Sequence, residues 1–467
     1  MPIANIAVIG AGTMGQGIAQ LCAQQGYTTW LYDVQDGAAE RARQRIAQAL
    51  DRRVAKGRMT TGDADAALSR VSVADSLAEL SEADLVVEAI VEDLAVKRAL
   101  FAELETLCRA DALLCTNTSS LSVGEIAAEL HTPQRFAGLH FFNPPTAMKL
   151  VEVVSADATA QTTQRALHDF ARSLGKTPVA VSDSPGFIVN RCARPFYSEA
   201  LWLLEHGAAA AATIDACLKS GGGFPLGPFE LIDLVGLDIN LRATETVWQA
   251  FDHHPRFRPS PLVADKVAAG QLGRKSGVGF YRYDSDDHTG AADNTTPAGV
   301  TGPEALIADL QAEVPGQYQV TDGRTATELA AELGQPVAVL DTALCPWAND
   351  RPTTLAFATH GVDSADRERL VKAAAGRGVH LVEVADRPGL IVLRVAAMLI
   401  NEARFALNEG IASADDMDTA MRLGLNFALG PWAMLARLGV ERIRTTLERA
   451  TEEDPSGRYT YSPSETQ

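Results

Sequence analysis

The sequence predicts an α/β domain with a doubly wound, mostly parallel sheet, followed by all-α domains in which one helical unit is present twice. Three observations carry this. Strand-like and helix-like runs alternate over residues 1–184, and βαβ alternation implies a parallel sheet covered on both faces. At Pro185-Gly186 the texture changes to apolar positions at helical spacing. Finally, Pro185-Gly186-Phe187-Ile188-Val189-Asn190-Arg191 returns 203 residues later as Pro388-Gly389-Leu390-Ile391-Val392-Leu393-Arg394, the mark of an internal repeat.

In the first domain, 1–184, strands are expected at 5–9, 27–32, 84–90, 112–117, 136–142 and 150–154, and helices at 36–56, 93–108 and 160–174. Residues 185–283 form the first helical domain, punctuated by the Gly/Pro cluster 221–228. Residues 284–303, rich in Asp, Gly, Thr and Pro, read as a linker. Residues 304–387 contain βα-like pieces at 337–340 and 379–384 without a glycine fingerprint, a reduced α/β segment. Residues 388–452 are the second helical copy. Its match to the first continues without gaps through Glu199/Glu402, Asp215/Asp418, Phe224/Phe427 and Gly236/Gly439, while Asn190 becomes Leu393. Losing a polar residue while keeping fold residues marks it as a degenerate, structural partner. Residues 453–467 read as a polar, disordered tail.

The stretch that organises the first domain is Ile6-Ala7-Val8-Ile9-Gly10-Ala11-Gly12-Thr13-Met14-Gly15, an apolar run ending in Gly-x-Gly-x-x-Gly at the start of a helical pattern. Gly10 permits a tight turn, Gly12 lets the backbone approach a pyrophosphate, and Gly15 lets helix and strand pack closely. The helix N-terminus offers N–H groups and a positive dipole end to phosphate. A second strand ends at Asp33, where an acid binds the adenosine ribose and repels a 2′-phosphate, favouring NAD over NADP. The domain is therefore expected to be Rossmann-like and NAD-binding; a glycine-rich turn without a ligand is the alternative.

Hydrophobic residues make up 46% of the 467 and charged residues 21%, ordinary for a globular protein. The net charge of −18 argues against nucleic acid or an anionic membrane as partner, and any anionic ligand needs a local basic patch. Six cysteines without a Cys-x-x-Cys spacing suit buried, reduced thiols. The first residues enter a strand at once and no apolar run reaches membrane-spanning length, so a cytoplasmic protein is expected. No metal-ligand spacing is present; the pair His253-His254 reads as surface.

The clearest chemical signal beyond the glycine loop is Gly138-Leu139-His140-Phe141-Phe142-Asn143-Pro144-Pro145, followed by Lys149-Leu150-Val151-Glu152. His140 ends a strand at the edge where doubly wound folds bind ligands. Glu152 lies in an alternating strand able to run beside it. A carboxylate next to an imidazole fixes its tautomer and stabilises the imidazolium, as a base taking a proton from an alcohol requires. A structural histidine is the alternative. Asn117-Thr118-Ser119-Ser120 follows another strand; one serine can bind a substrate oxygen while the other caps the following turn. The basic end of helix 36–56, with Lys56, reads either as a solvated face or as a patch for an anionic tail.

The glycine loop, Asn117–Leu121, His140–Pro145, Pro185–Arg191 and Gly222–Pro228 occur in this order. Together they resemble the L-3-hydroxyacyl-CoA dehydrogenase family over about residues 3–283. The second helical copy resembles its longer bacterial members, including 3-hydroxyadipyl-CoA dehydrogenases of phenylacetate breakdown. The resemblance implies His140 as base, Glu152 as its carboxylate partner, and Ser119 and Asn190 on the substrate's 3-oxygen. It implies NAD contacts from Gly10, Gly12, Thr13, Met14, Gly15, Asp33, Glu92, Lys97, Asn117, Ser119, Asn143 and Lys275. It places Lys56 on coenzyme A; Ala49 stands where the family often has a serine.

The expected activity is NAD-dependent oxidation of a (3S)-3-hydroxyacyl-CoA to a 3-oxoacyl-CoA, of the fatty-acid or aromatic-acid degradation type, with the acyl-CoA thioester as partner. Two alternatives stand beside it: a dehydrogenase of a free hydroxy acid in the same family, and a non-catalytic NAD-binding structural protein. Single-copy members pair through the helical domain, so two copies predict either a homo-oligomer or an intramolecular pseudo-dimer. Arg191 and Arg194 read as solvated or structural, with a terminal carboxylate of the acyl chain as the other role considered.

Overall fold

The computed structural model describes residues 3–283, 300–347 and 353–462; most of the expected linker 284–303 lies outside them. The chain divides into two compact units, Met1–Val189 with Gly410–Gly424, and Asn190–Glu409 with Leu425–Gln467.

Among its described residues the first unit holds eight strands: β1 Asn5–Ile9, β2 Thr28–Tyr32, β3 Val71–Val73, β4 Leu85–Glu88, β5 Leu113–Thr116, β6 Phe136–Phe141, β7 Leu150–Ser155 and β8 Thr177–Ser182. Their order is β3-β2-β1-β4-β5-β6-β7-β8. All pairs are parallel except β6 with β7. The order reverses between β1 and β4, which places the ligand crevice at the carboxyl ends of these strands. The outermost strands, β3 and β8, escape the sequence reading because β3 is three residues long and β8 is buried only at alternate positions. Ile6, Val8, Ile18, Leu31, Val87 and Leu139 share one core beneath the helices.

Residues 410–424 belong to the second helical copy by sequence, yet they pack with this first unit. The Ser182 N–H donates to the Ile411 carbonyl at 2.8 Å. A Cβ on Gly424 would stand 3.0 Å from both Leu150 and Val189 side chains. The span 388–452 is therefore not one body; the repeat is continuous in sequence and divided in space.

In the second unit the two helical copies meet. Helix Arg194–Glu205 packs on helix Val392–Asn408. Arg191 Nε donates to Glu402 Oε1 at 2.8 Å, and Arg394 Nε donates to Glu199 Oε1 at 2.7 Å. Each bond is the repeat image of the other, the self-complementary pattern of a two-fold contact. The image residues Phe224 and Phe427 touch edge to face, centroids 4.7 Å apart.

The polar tail expected from 453 needs correction. Among its described residues, Arg458 Nη2 lies 2.9 Å from Glu199 Oε2 and the Tyr459 hydroxyl donates to Glu199 Oε1 at 2.8 Å. Tyr459 is fully buried. The image in the first copy is Arg256, whose Nε lies 2.9 Å from Glu402 Oε2, close enough for charge attraction but off the line of a hydrogen bond. Arg256-Phe257 and Ser260-Pro261 match Arg458-Tyr459 and Ser462-Pro463 once the register shifts by one residue, a shift that a gapless comparison hides.

Residues 304–387 build a separate sheet of β9 Gln317–Val320, β10 Val337–Leu340, β11 Thr353–His360 and β12 Val379–Glu383, ordered β12-β11-β10-β9, with β10 and β11 antiparallel. Leu306, Leu340, Phe357 and Leu381 form its core. Among the described residues no helix is long and apolar enough to cross a membrane.

Candidate active site

At the carboxyl end of β1, Gly10 has φ +101°, and a Cβ on it would fall 2.4 Å from the Ala89 carbonyl oxygen. A Cβ on Gly15 would fall 1.8 Å from the Gly10 carbonyl oxygen, so only glycine lets the helix start so near the strand. Gly12 differs: a Cβ there would have nothing within 4 Å. The space beside it is open, and Gly12 caps helix Thr13–Gln24 without a side-chain bond to its first N–H groups. Open room, uncapped donors and a positive dipole end fit a dinucleotide pyrophosphate. Asp33, after β2, accepts from the Ala11 N–H at 2.7 Å and the Gln35 N–H at 2.9 Å. Its carboxylate is thus held beside the glycine turn, as a ribose partner needs. The residues present fit NAD. Thr13 is exposed and Met14 packs on the sheet core.

A buried polar cluster follows at the ends of β4 and β5. Lys97 is 1% exposed, with Nζ 2.5 Å from Glu88 Oε1 and 3.3 Å from Glu92 Oε2. Thr116 donates to Glu88 Oε2 at 2.7 Å. Glu92 accepts from the Thr118 hydroxyl at 2.6 Å, the Ser119 N–H at 3.0 Å and the Ser120 hydroxyl at 3.0 Å. Burial raises the Glu92 pKa, but the Thr118 hydroxyl, the Lys97 ammonium and the other donors outweigh it and hold the carboxyl below its ordinary range. Glu92, Lys97 and Ser119 are thus brought together, and Glu88, missed from sequence, is the hub. Its signal was a lone carboxylate ending the apolar run Leu85-Val86-Val87. The capping expected of Ser119 or Ser120 falls instead to Ser122, which accepts from the Glu125 N–H at the start of helix Val123–Ala127.

His140 and Glu152 stand directly opposite in the antiparallel pair β6–β7, so their side chains share one face. His140 Nδ1 lies 2.7 Å from Glu152 Oε2; the two residues are 6% and 0% exposed. The second carboxylate oxygen accepts from the N–H groups of Ile188 and Val189, both at 3.0 Å. An ionised carboxylate only accepts, so Nδ1 carries the hydrogen and Nε2 keeps its lone pair. The imidazole packs against Phe142 and Phe187, centroids at 4.5 and 5.8 Å. Phe187 holds φ +51° behind Gly186 at +78°, and Leu390 and Gly389 repeat this pair at +52° and +71°. Such backbone persists only where surroundings over-determine it; here the following N–H groups are aimed at the carboxylate.

The second copy isolates that structural part. Asp341, fully buried just after β10, accepts from the N–H groups of Ile391, Val392 and Leu393. The repeat images of Ile188 and Val189 are therefore capped by a carboxylate that, among the described residues, has no imidazole hydrogen-bonded to it. Burial lifts the Asp341 pKa to about 6 against the pull of these donors. Glu152 combines both tasks, holding the chain turn and orienting the ring.

Asn117 accepts from the Phe141 N–H at 2.9 Å, which places it beside His140. Asn143 and Lys56 are exposed, and Ala49 is half-buried. Asn190 and Lys275 belong to the second unit, where Lys275 Nζ pairs with Asp238 Oδ1 at 2.5 Å. Neither arginine of 191–194 is solvated: Arg191 is fully buried against Glu402 and Glu409, and Arg194 is 6% exposed.

A family model described as 3-hydroxyacyl-CoA dehydrogenase, NAD binding domain, matches residues 5–184. The corresponding C-terminal domain model matches twice, at 186–283 and 389–467. A model described as 3-hydroxybutyryl-CoA dehydrogenase reduced Rossmann-fold domain matches 319–388. The chain is 42% identical over 462 residues to a 3-hydroxyadipyl-CoA dehydrogenase of Escherichia coli, covering 98% of this chain and 95% of that protein. A crystal structure of 3-hydroxybutyryl-CoA dehydrogenase from Escherichia coli superposes with TM-score 0.90 at 41% identity, covering 99% and 97% of the two chains. An (S)-3-hydroxybutyryl-CoA dehydrogenase from Ralstonia eutropha matches at 38% identity and TM-score 0.59, covering 61% of this chain and all of its own.

Proposed function

The chain belongs to the 3-hydroxyacyl-CoA dehydrogenase family, and from that premise we propose that it oxidises (3S)-3-hydroxyacyl-CoA thioesters to 3-oxoacyl-CoA, with His140 as the base. NAD, when bound, supplies the acceptor for the hydride that leaves C3. His140 Nε2 takes the hydroxyl proton. Glu152, 2.7 Å from Nδ1, stabilises the imidazolium so formed. Ser119 and Asn190 hold the 3-oxygen. Gly10, Gly12 and Gly15 with Asp33 bind the dinucleotide, assisted by Glu92, Lys97, Asn117, Asn143 and Lys275, and Lys56 meets coenzyme A. The observation that carries the reading is the buried His140–Glu152 pair, whose carboxylate is saturated by backbone donors and whose ring has one nitrogen left for chemistry. The reciprocal packing of the two helical copies takes the place of a pairing between single-copy chains. A cytoplasmic setting accords with six cysteines of which five are buried and none is exposed.

NADH formation from (3S)-3-hydroxybutyryl-CoA, compared with free 3-hydroxybutyrate, tests this. Turnover of the thioester is expected; oxidation of the free acid alone supports the free-acid alternative, and no NADH from either supports a binding role. The relatives are named for two acyl groups, butyryl and adipyl, so both belong in the assay.

Asp33 gives a second expected result. Replacing it by Ser removes the charge that opposes a 2′-phosphate, so the ratio of kcat/KM for NAD over NADP should fall by about tenfold or more, the equivalent of roughly 1.4 kcal/mol. An unchanged ratio removes Asp33 from cofactor choice.

A further inference from the structure

Glu88 closes the apolar strand β4, fully buried, and the proposed chemistry gives it no task. Its carboxylate takes three donors: Lys97 Nζ at 2.5 Å and the Ile90 N–H at 2.7 Å on Oε1, and the Thr116 hydroxyl at 2.7 Å on Oε2. A buried ion pair is weak evidence for stability, since apolar residues of the same volume often serve as well or better. The pair therefore needs another reason.

Its place in the sheet supplies one. Asp33 after β2 takes the adenosine side of the dinucleotide and the helix after β1 takes the pyrophosphate. The nicotinamide half then falls on the other side of β1, over the ends of β4 and β5. Glu88 is the last residue of β4. The Asn117 N–H, just past β5, donates to the Glu88 carbonyl at 2.8 Å, and Asn117 Oδ1 accepts from the Phe141 N–H next to His140. The strand ends that carry the charges and the base are thus tied together.

Three charges meet there. Lys97 Nζ lies 2.5 Å from Glu88 and 3.3 Å from Glu92, and its hydrogen bond goes to Glu88. Glu88 and Lys97 are buried, whereas the Glu92 side chain is 37% exposed. Glu92 stays ionised because its donors outweigh its burial. One ammonium against two carboxylates leaves a net charge of −1.

We infer that Glu88 is a positioning residue that draws Lys97 inward and leaves the Glu92 carboxylate uncompensated, so that the site favours the oxidised cofactor over the reduced one. The inference rests on the cofactor contacts proposed for Glu92 and Lys97. The nicotinamide ring carries a positive charge in NAD and none in NADH, so a negative cluster beside it stabilises the oxidised form alone. The enzyme is thereby loaded for oxidation in the presence of its own reduced product.

Fluorescence titration of NADH into the full-length protein without substrate, followed by displacement with NAD, gives both Kd values. Glu88→Gln keeps the shape, releases Lys97 to Glu92 and brings the cluster to neutrality. Its ratio of Kd for NAD to Kd for NADH should rise about 3- to 10-fold, the scale of one unit charge across a partly solvated site. Glu92→Gln removes the same charge from an exposed position and should raise the ratio likewise, whether or not the buried variant folds. The double variant Glu88→Gln with Lys97→Met restores the net charge of −1 and should return the ratio to that of wild type. Equal weakening of both cofactor forms by either single variant overturns the inference, because the cluster then only shapes the site. A raised ratio that persists in the double variant also overturns it, because charge is then not the cause. Failure of wild type to bind NADH brings down the cofactor contacts themselves, and the inference with them.

Discussion

His140→Gln should lose between about 10²- and 10⁴-fold in turnover, the usual worth of a general acid–base group, while NAD binding stays within about twofold of wild type. Glutamine can still donate to Glu152 but has no basic nitrogen to receive the substrate proton. The buried carboxylate therefore stays satisfied, by Ile188 and Val189 as before, and the fold should survive. The glycine turn and Asp33 are fixed by strands β1, β2 and β4 rather than by β6, which is why cofactor affinity separates from chemistry. Turnover of 3-hydroxybutyryl-CoA and titration of NADH fluorescence are the two measurements. Near-normal turnover removes His140 from the mechanism. Lost turnover together with lost NADH binding indicates a collapsed site instead.

The largest stability effect should follow Glu199→Met. Glu199 is fully buried and accepts from Arg394, Arg458 and Tyr459 at 2.7, 2.9 and 2.8 Å. Removing it strands two buried guanidinia, and breaking a buried pair by deleting one partner typically costs about 3–5 kcal/mol. Arg394 keeps Glu453 at 2.6 Å, so Arg458 bears most of the loss. The double variant Glu199→Met with Arg458→Met should recover part of the stability. Urea midpoints at unchanged m-value measure both. A single-variant loss below about 0.5 kcal/mol means that the cluster only decorates the interface.

The same carboxylate sets an acid dependence. Burial raises the Glu199 pKa, but Arg458, Arg394 and Tyr459 outweigh it and leave it below the ordinary value. A depressed folded pKa contributes stability that is fully present above the unfolded value of about 4.3. It is lost as pH falls toward the lower folded value. Wild type should therefore lose its advantage over Glu199→Met as pH falls from 5 toward 3, which acid unfolding curves will measure.

Much of the site was legible because its signals are local. Gly10, Gly12 and Gly15 answer to sterics among a few neighbouring atoms, and β1 and β2 to apolar periodicity with Asp33 at the second strand's end. His140 and Glu152 are twelve residues apart on strands joined by one connection, so a sequence reading could pair them before any coordinates. The gapless repeat exposed the helical duplication in the same way.

The remaining features were settled at long range. Glu88 is a hub because Thr116 and Lys97 close over it, and the residue spelling of β4 does not record this. Residues 454–462 fold because Glu199, some 260 positions upstream, needs Arg458 and Tyr459 to compensate its burial. Residues 410–424 leave their own repeat for the first unit, where Ser182, Leu150 and Val189 receive them. By itself the sequence determined the strand–glycine–helix turn, the acid that follows it, the histidine's strand and the repeat, since sterics and periodicity act within a few residues. Only the tertiary structure decided which buried charges meet, because desolvation makes each of them find a partner wherever the folded chain brings one.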